Sequence, residues 1–254
     1  MKKEFPILEF DYDRDVIIDP QKYIKKLDIP KTCVITFFRG VIQEMFLRSR
    51  LIEVANIYSE TVDIPVYKTV YGEEEICLVQ GFLGSAGAAA QLEELIAMGC
   101  ENFIVCGGAG VLVKGTKVGD IIVPKSAVRD EGASYHYLPP SREVEMNKDA
   151  FDHINSELTK RGIPFAAGKT WTTDAFYRET RKKVELRVSE GCIAVDMEAA
   201  AYFAVAEYRG VKLGQILYSG DDLSGAEWDG RKWKREEVRR NIVEISMDIV
   251  LKME

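Results

Sequence analysis

The chain has 254 residues, of which 46% are apolar and 30% charged, with a formal net charge of -7. That size suits one large α/β domain or two small ones, and the apolar fraction supports a sizeable core. The acidic balance excludes a nucleic-acid surface, which needs basic stripes. No apolar stretch approaches the roughly 18 residues of a membrane span, and Met1-Lys2-Lys3-Glu4-Phe5-Pro6 lacks a signal peptide's apolar core. A cytoplasmic protein handling small molecules, with neither nucleic-acid nor membrane partner, is expected.

Residues 1–30 are charged and proline-punctuated, a surface-hugging lead-in; the domain proper is expected over 31–254. Thr32 to Phe38 is a continuous apolar run rich in β formers, read as a buried strand. Val41 to Tyr58 carries apolar residues at helical spacing. Ile64 to Tyr71 and Glu75 to Gln80, parted by Gly72 and acidic residues, read as a hairpin. Gly81-Phe82-Leu83-Gly84-Ser85-Ala86-Gly87 leads into a helix from about Ala88 to Met98, stopped by Gly99. Asn102 to Cys106 is a strand, and Gly107-Gly108-Ala109-Gly110 is expected to be a loop after it. A turn at Gly119-Asp120 opens the strand Ile121-Ile122-Val123, closed by Pro124. Asp149 to Arg161 is helical, Phe165 to Thr172 a strand, and Glu179 to Ser189 helical. A helix beginning near Met197 ends at Gly210, and the strand Leu213 to Tyr218 runs up to Gly220-Asp221-Asp222. Lys234 to Met253 is a long amphipathic helix. Strands alternate with helices, interrupted by a hairpin and short turns. The pattern predicts a single α/β domain whose twisted mixed central sheet is flanked by helices, with its site at the strand ends.

Cys33, Cys77, Cys100, Cys106 and Cys192 are scattered, odd in number and without CxxC spacing. They are expected to be buried reduced thiols. With only His136 and His153 available, neither a zinc site nor a Cys–His nucleophile is expected.

Several short motifs carry chemistry, each with a plainer alternative. Gly81-x-x-Gly84-x-x-Gly87 opens a helix, where bare amides favour an anion; it also permits a tight strand-to-helix turn. Gly107 to Gly110 lets a ligand approach the backbone, or marks a crowded crossing of the sheet. In Asp196-Met197-Glu198 a carboxylate can accept hydrogen bonds from vicinal hydroxyls. Asp196 fits the alternative, a helix-end acid, better than Glu198 does. Asp221-Asp222 offers a carboxylate beside a second one that raises its pKa, which suits a general acid; the alternative is a solvated Asp-rich turn. Phe176, in Asp174-Ala175-Phe176-Tyr177, can stack on a planar base or fill the core. Trp228 and Trp233 form either a lid or a packed corner.

Taken in order, these motifs resemble the nucleoside phosphorylase family, which holds uridine phosphorylases, hexameric-type purine nucleoside phosphorylases and methylthioadenosine nucleosidases. The resemblance spans roughly residues 30–254. It rests on Gly81 to Ser85 with the helix ending Leu92-Glu93-Glu94-Leu95-Ile96-Ala97-Met98-Gly99, and on Gly107 to Gly110 with Val118-Gly119-Asp120. Further along it includes Gly132-Ala133-Ser134-Tyr135-His136, Thr173 to Tyr177, Val195 to Ala200 and Ser219-Gly220-Asp221.

The resemblance implies a twisted mixed sheet in one α/β domain, assembled as a homodimer or hexamer. It implies that Glu198 holds the ribose hydroxyls, Met197 packs beneath the sugar and Phe176 stacks near the base. Asp221 matches the aspartate that protonates purine N7, whereas Gly132 to His136 is closer to the uridine type. No metal or organic cofactor is implied, and phosphate is the possible co-substrate. The phosphate candidates are Gly108, Gly84 and Arg39, but the pattern departs from the family here. The family's Gly-Asp-Pro segment with its arginine is replaced by Phe37-Phe38-Arg39-Gly40. No arginine precedes the central glycines, and Gly108 stands where the family has Thr or Ser. The expected reaction is cleavage of a nucleoside's N-glycosidic bond by phosphate. A hydrolytic nucleosidase and a non-catalytic nucleoside-binding protein are the alternatives.

Overall fold

The computed structural model describes residues 2–232 and 235–253, so Trp233 lies outside the described residues. The strands are β1 (Thr32–Thr36), β2 (Ile52–Ile57), β3 (Ile64–Tyr71), β4 (Glu74–Gln80), β5 (Asn102–Val111), β6 (Ile121–Asp130), β7 (Glu143–Glu145), β8 (Phe165–Thr173), β9 (Cys192–Asp196) and β10 (Lys212–Asp222). The helices are α1 (Pro20–Tyr23), α2 (Arg39–Leu47), α3 (Ser85–Met98), α4 (Lys148–Lys160), α5 (Arg181–Ser189), α6 (Ala199–Arg209) and α7 (Glu236–Val250).

All ten strands join one mixed sheet, as the sequence pattern predicts. The sheet also closes on itself. β5 pairs in parallel with β10, β10 antiparallel with β6, β6 and β8 in parallel, β8 and β9 in parallel, and β9 antiparallel with β5. From this five-stranded ring β1, β4, β3 and β2 fan out in that order beside β5. Helices α3 and α6 pack on each other, and α7 packs against β1, β5 and β10.

Three local readings are corrected. The apolar run from 41 to 58 is not one helix. Helix α2 stops at Leu47, Ser49 adopts a left-handed φ of 54°, and Ile52–Ile57 forms β2 against β3. Ile52, Val54 and Ile57 are β-branched, and that preference overrides their helix-like spacing. The stretch Gly107 to Gly110 is strand, not loop, because β5 keeps pairing with β10 through Ala109 and with β9 at Gly110. Its glycines answer the crowded-crossing alternative. A Cβ on Gly110 would lie 2.7 Å from Leu223 Cδ1 and 2.9 Å from Val195 Cγ1. Pro124 does not close its strand either. β6 runs on to Asp130, with its register against β8 shifting between Pro124 and Ser126, which is how a residue lacking an N–H is accommodated.

Strand β9 was hidden in the sequence, and β10 extends through Asp222 rather than ending at Tyr218. All five cysteines are free and buried. Within the N-terminal segment, Leu27 N–H donates to the Met98 carbonyl at 2.8 Å, and Arg14 stacks over Tyr208 at 4.7 Å. Asp19 lies 3.7 Å from Arg209. Among the described residues no helix is long and apolar enough to cross a membrane.

The ring closes on β9 at Gly110, where a side chain would meet Leu223 and Val195. Gly110→Ala is expected to destabilise the fold by about 1–3 kcal/mol, the usual cost of overpacking. A urea-denaturation midpoint unchanged from the parent would contradict that account of the closure.

Candidate active site

The ends of β4, β8 and β9 deliver the first group of polar residues. β9 ends at Asp196, and α6 starts three residues later. Asp196 is buried and turned inward. Its Oδ1 accepts from Thr170 Oγ1 at 3.1 Å and Thr172 Oγ1 at 2.9 Å; its Oδ2 accepts from the amides of Glu198 at 3.0 Å and Ala199 at 2.6 Å. It holds the first turn of α6, the helix-end role. Burial pushes its carboxyl up, and these donors act against that rise.

Glu198 has only 6% of its surface exposed, and its Oε1 accepts from the Gly84 N–H at 2.7 Å. Gly84 adopts a φ of 90° at the head of α3, a backbone that only glycine takes without strain. Its amide is therefore committed to Glu198. Burial, and secondarily the Asp196 charge, push the Glu198 carboxyl up to about 8, so at neutral pH the empty site holds it protonated.

Met197 is half-buried, and its carbonyl lies 2.9 Å from Ser85 Oγ. The same hydroxyl lies 2.7 Å from Asp174 Oδ1, while Asp174 Oδ2 accepts from the Gly132 N–H at 2.9 Å. The segment after Gly132 is fixed by buried Arg129. That side chain donates to Ser134 Oγ at 2.9 Å, the Pro139 carbonyl at 2.8 Å, the Leu138 carbonyl at 3.1 Å and Ser141 Oγ at 2.7 Å. Four sequence motifs thus meet through Ser85 and Asp174. Two residues on, Phe176 is 45% exposed, with its ring 4.0 Å from that of Tyr177; it does not fill the core.

The second group gathers where β10 passes β5. Asp221 Oδ2 accepts from Trp228 Nε1 at 2.7 Å, and its Oδ1 lies 3.6 Å from where a Gly110 Cβ would stand. Gly110 pairs with Val195, next to Asp196, so the two groups adjoin. Asp222 is not the second carboxylate of an acid pair. It accepts from the Ser224 N–H at 2.8 Å and lies 3.6 Å from Arg231. The carboxylate that interacts with Asp221 is Glu179, pushed up to about 7 by burial and then by the Asp221 charge. Trp228 is 67% exposed, so it is not part of a packed corner.

Gly108 is exposed within an otherwise buried stretch of β5, against the ring of Tyr218. Arg239 on α7 donates to the Tyr218 hydroxyl at 3.2 Å and stacks over Phe38 at 5.3 Å. Arg39 follows Phe38 in the chain and is exposed. Two arginines therefore flank Phe38, and Glu236 lies 3.7 Å from Arg239. Ser85, Asp174, Glu179 and Arg239 were missed in the sequence. Ser85 and Asp174 stood inside motifs read from the sequence but without a role of their own; Glu179 and Arg239 had no spacing signal. Among the described residues no group of acidic, histidine or cysteine side chains is arranged to hold a metal.

The raised carboxyls set a pH dependence. Between about pH 5 and 8 the unfolded chain has ionised Glu198, while the folded chain keeps its proton, so stability falls as pH rises. Glu179 acts in the same direction. The ligand-free protein is expected to lose on the order of a few kcal/mol over that range, read from urea midpoints. Glu198→Gln is expected to flatten the slope; an equally steep slope in the variant would remove Glu198 as its source.

Comparison with known proteins places this geometry in a family. The model of the phosphorylase superfamily matches residues 43–252. The guanosine phosphorylase of Halorubrum lacusprofundi is 24% identical over 83% of this chain and 86% of its own length. The DeoD-type purine nucleoside phosphorylase of Bacillus cereus is 28% identical over 68% of this chain and 74% of its own. Among solved structures, the purine nucleoside phosphorylase from Toxoplasma gondii in complex with immucillin-H superposes with a TM-score of 0.73 at 21% identity, covering 89% of this chain and 93% of that one. The AMP nucleosidase from Bacteroides thetaiotaomicron gives a TM-score of 0.71 at 21% identity, covering 89% and 90%. With a sequence match over most of its length and this fold, the chain belongs to the phosphorylase superfamily.

Proposed function

We propose that the protein is a nucleoside phosphorylase, cleaving the N-glycosidic bond to release the base and ribose 1-phosphate. The observation that carries this reading is Glu198, a buried carboxyl at the start of α6 whose Oε1 accepts from the Gly84 N–H and which stands next to Met197. As a protonated acid it can donate to one ribose hydroxyl and accept from its neighbour. Met197 lies beside it to pack beneath the sugar, and exposed Phe176 is available to stack on the base.

As the glycosidic bond breaks, its electrons move into the base, and Asp221 delivers a proton to the purine ring nitrogen. The sugar passes through an oxocarbenium-like state, and a phosphate oxygen forms the new bond at the anomeric carbon. Trp228 fixes one Asp221 oxygen and leaves the other over Gly110. Phosphate as co-substrate is supported by the exposed backbone at Gly108 and by the arginines flanking Phe38, with Arg39 the exposed one. Gly84, with its amide given to Glu198, takes part through that carboxyl. The purine assignment rests on Asp221 and on the purine and guanosine phosphorylases among the relatives. A homo-oligomer, dimer or hexamer, remains part of the proposal.

The hydrolytic alternative has one observation in its favour: the central glycines of β5 carry no arginine beside them in the chain. Turnover of guanosine, inosine, adenosine, uridine and methylthioadenosine with and without phosphate separates the two. Phosphorolysis predicts ribose 1-phosphate and no release in phosphate-free buffer; base release without phosphate would falsify it. Asp221→Asn is expected to lower kcat by roughly 10²–10⁴, the usual worth of a positioned general acid, with the nucleoside KM changing much less.

A further inference from the structure

Strand β10 breaks its ladder where it carries Asp221. Against β5 the register runs Ser219 with Ala109 and then Asp222 with Val111, so Gly220 and Asp221 together stand opposite Gly110. One extra residue on one strand is a β-bulge, rare in a parallel pair, and it re-aims the side chains it carries. Here the Asp221 carboxyl comes to the Gly110 side, with Oδ1 3.6 Å from where a Gly110 Cβ would stand.

Arg231 grips this bulge. Its Nε and Nη2 donate to the Gly220 carbonyl at 3.0 and 2.6 Å, and Nη2 also reaches the Asp221 carbonyl at 3.2 Å. Nη1 donates to the Thr116 carbonyl at 2.7 Å, between β5 and β6, and lies 3.6 Å from Asp222 Oδ2. A planar guanidinium can hold several carbonyls in one fixed fork; an ammonium cannot. The backbone of Arg231 is left-handed, with φ 41°, and Lys232 follows at 47°. Non-glycine residues in that region are strained, and the strain persists only where the surroundings hold it. Asp229 adds a second fastening, exchanging main-chain hydrogen bonds of 2.8 and 3.0 Å with Asp222. The loop from Leu223 to Arg231 therefore returns to the bulge it leaves, and on the way it brings Trp228 to Asp221 Oδ2.

We infer that Arg231 is a positioning residue for the general acid: it fixes the β10 bulge, and the bulge sets where the Asp221 carboxyl stands against the departing base. This rests on the reading of Asp221 as the group that protonates the base. The contacts of Arg231 are main-chain carbonyls and Asp222, so it acts through Asp221 and not on the substrate. Without it the Gly220 and Asp221 carbonyls lose these donors, and the strained turn loses its anchor. A reacting group displaced by an ångström costs about 100-fold in rate.

The test compares two leaving groups, with phosphate, in the parent, Asp221→Asn, Arg231→Met and Arg231→Lys. Guanosine needs a proton on its imidazole nitrogen as the bond breaks. In 7-methylguanosine that nitrogen already carries a methyl and a positive charge, so the electrons of the broken bond neutralise the ring and no proton is needed. In Arg231→Met, kcat for guanosine is expected to fall about 10–100-fold with KM within about 3-fold, and kcat for 7-methylguanosine to fall on the order of 10 times less. Asp221→Asn is expected to show the same split, only larger. Arg231→Lys, with the charge but not the fork, is expected to lie between Arg231→Met and the parent, and it carries the comparison if Arg231→Met does not fold. Equal losses on both nucleosides in a folded Arg231 variant overturn the inference, as does an Asp221→Asn protein without the split. Crystal structures give a readout independent of turnover: the Asp221 carboxyl is expected to shift from Gly110 by about 1 Å in the Arg231 variant, and an unmoved bulge overturns the inference. A parent that cleaves neither nucleoside, with the carboxyl displaced in the variant, sinks the phosphorylase reading and leaves Arg231 as the residue that places Asp221.

Discussion

The constraint on which the site depends is the burial of two acids at the end of one strand. Asp196 and Glu198 stand two residues apart, both nearly inaccessible to water. A buried charge is tolerated only where donors surround it. Asp196 collects two hydroxyls from β8 and two amides from the start of α6. Glu198 accepts from the amides of Gly84, on another element, and of Met197. The difference in donors separates their roles. Asp196 is committed to the first turn of α6, and the Glu198 carboxyl is pushed up to about 8.

That arrangement needs three chain segments to arrive together, and the closed ring of strands brings them. β8 carries the threonines and then Asp174; β9 carries the acids; β5 lies across β9 with its glycines. The antiparallel contact between β5 and β9 is short, Gly110 with Val195 and Val111 with Ala194, and it brings Asp221 over the same glycine. A larger side chain on Gly110 would strike Leu223 and Val195 together. Gly110 therefore lets the β10 acid approach the strand that carries the β9 acids.

Much of this was legible in the sequence. Element identity was recovered where the pattern was long or sharply stopped: the hairpin of β3 and β4, α3 ending at Gly99, α4, and α6 ending at Gly210, whose left-handed φ of 71° marks the stop. The misreadings share a cause. Helical spacing in β2, a glycine stretch in β5 and a proline in β6 are local signals, and in each the pairing partner decided the outcome. Glu198, Met197, Phe176 and Asp221 were picked out by motif alone, and their roles stay proposals. Glu179 was not picked out, because a glutamate ahead of a charged helix reads as a solvated face. What distinguishes it is burial and the charge of Asp221, 42 positions away in the chain, information that exists only after folding. Asp222 failed for the converse reason. Adjacency in sequence suggested a coupled pair, yet Asp222 lies 3.6 Å from Arg231 while Asp221 accepts from Trp228.

The placement of cationic charge separates attack by phosphate from attack by water. Phosphate carries its own nucleophilic oxygen but must be stripped of water and neutralised; a water molecule needs a base instead. The carboxyls placed at this site are poorly suited to the second task near neutrality. Glu198 holds its proton up to about 8, and Glu179 is pushed up to about 7. Asp221 is tied to Trp228, and Asp196 has donors on both oxygens. Cationic charge, by contrast, is present at the end of β1, where Arg39 follows Phe38 and Arg239 stacks over it beside Gly108. A guanidinium held by a tyrosine hydroxyl and an aromatic face is oriented before any ligand arrives. The family's arginines are missing from their usual places in the chain, but at the β1 end Arg239, from a helix at the far end of the sequence, stacks over Phe38, and Arg39 is the next residue after Phe38.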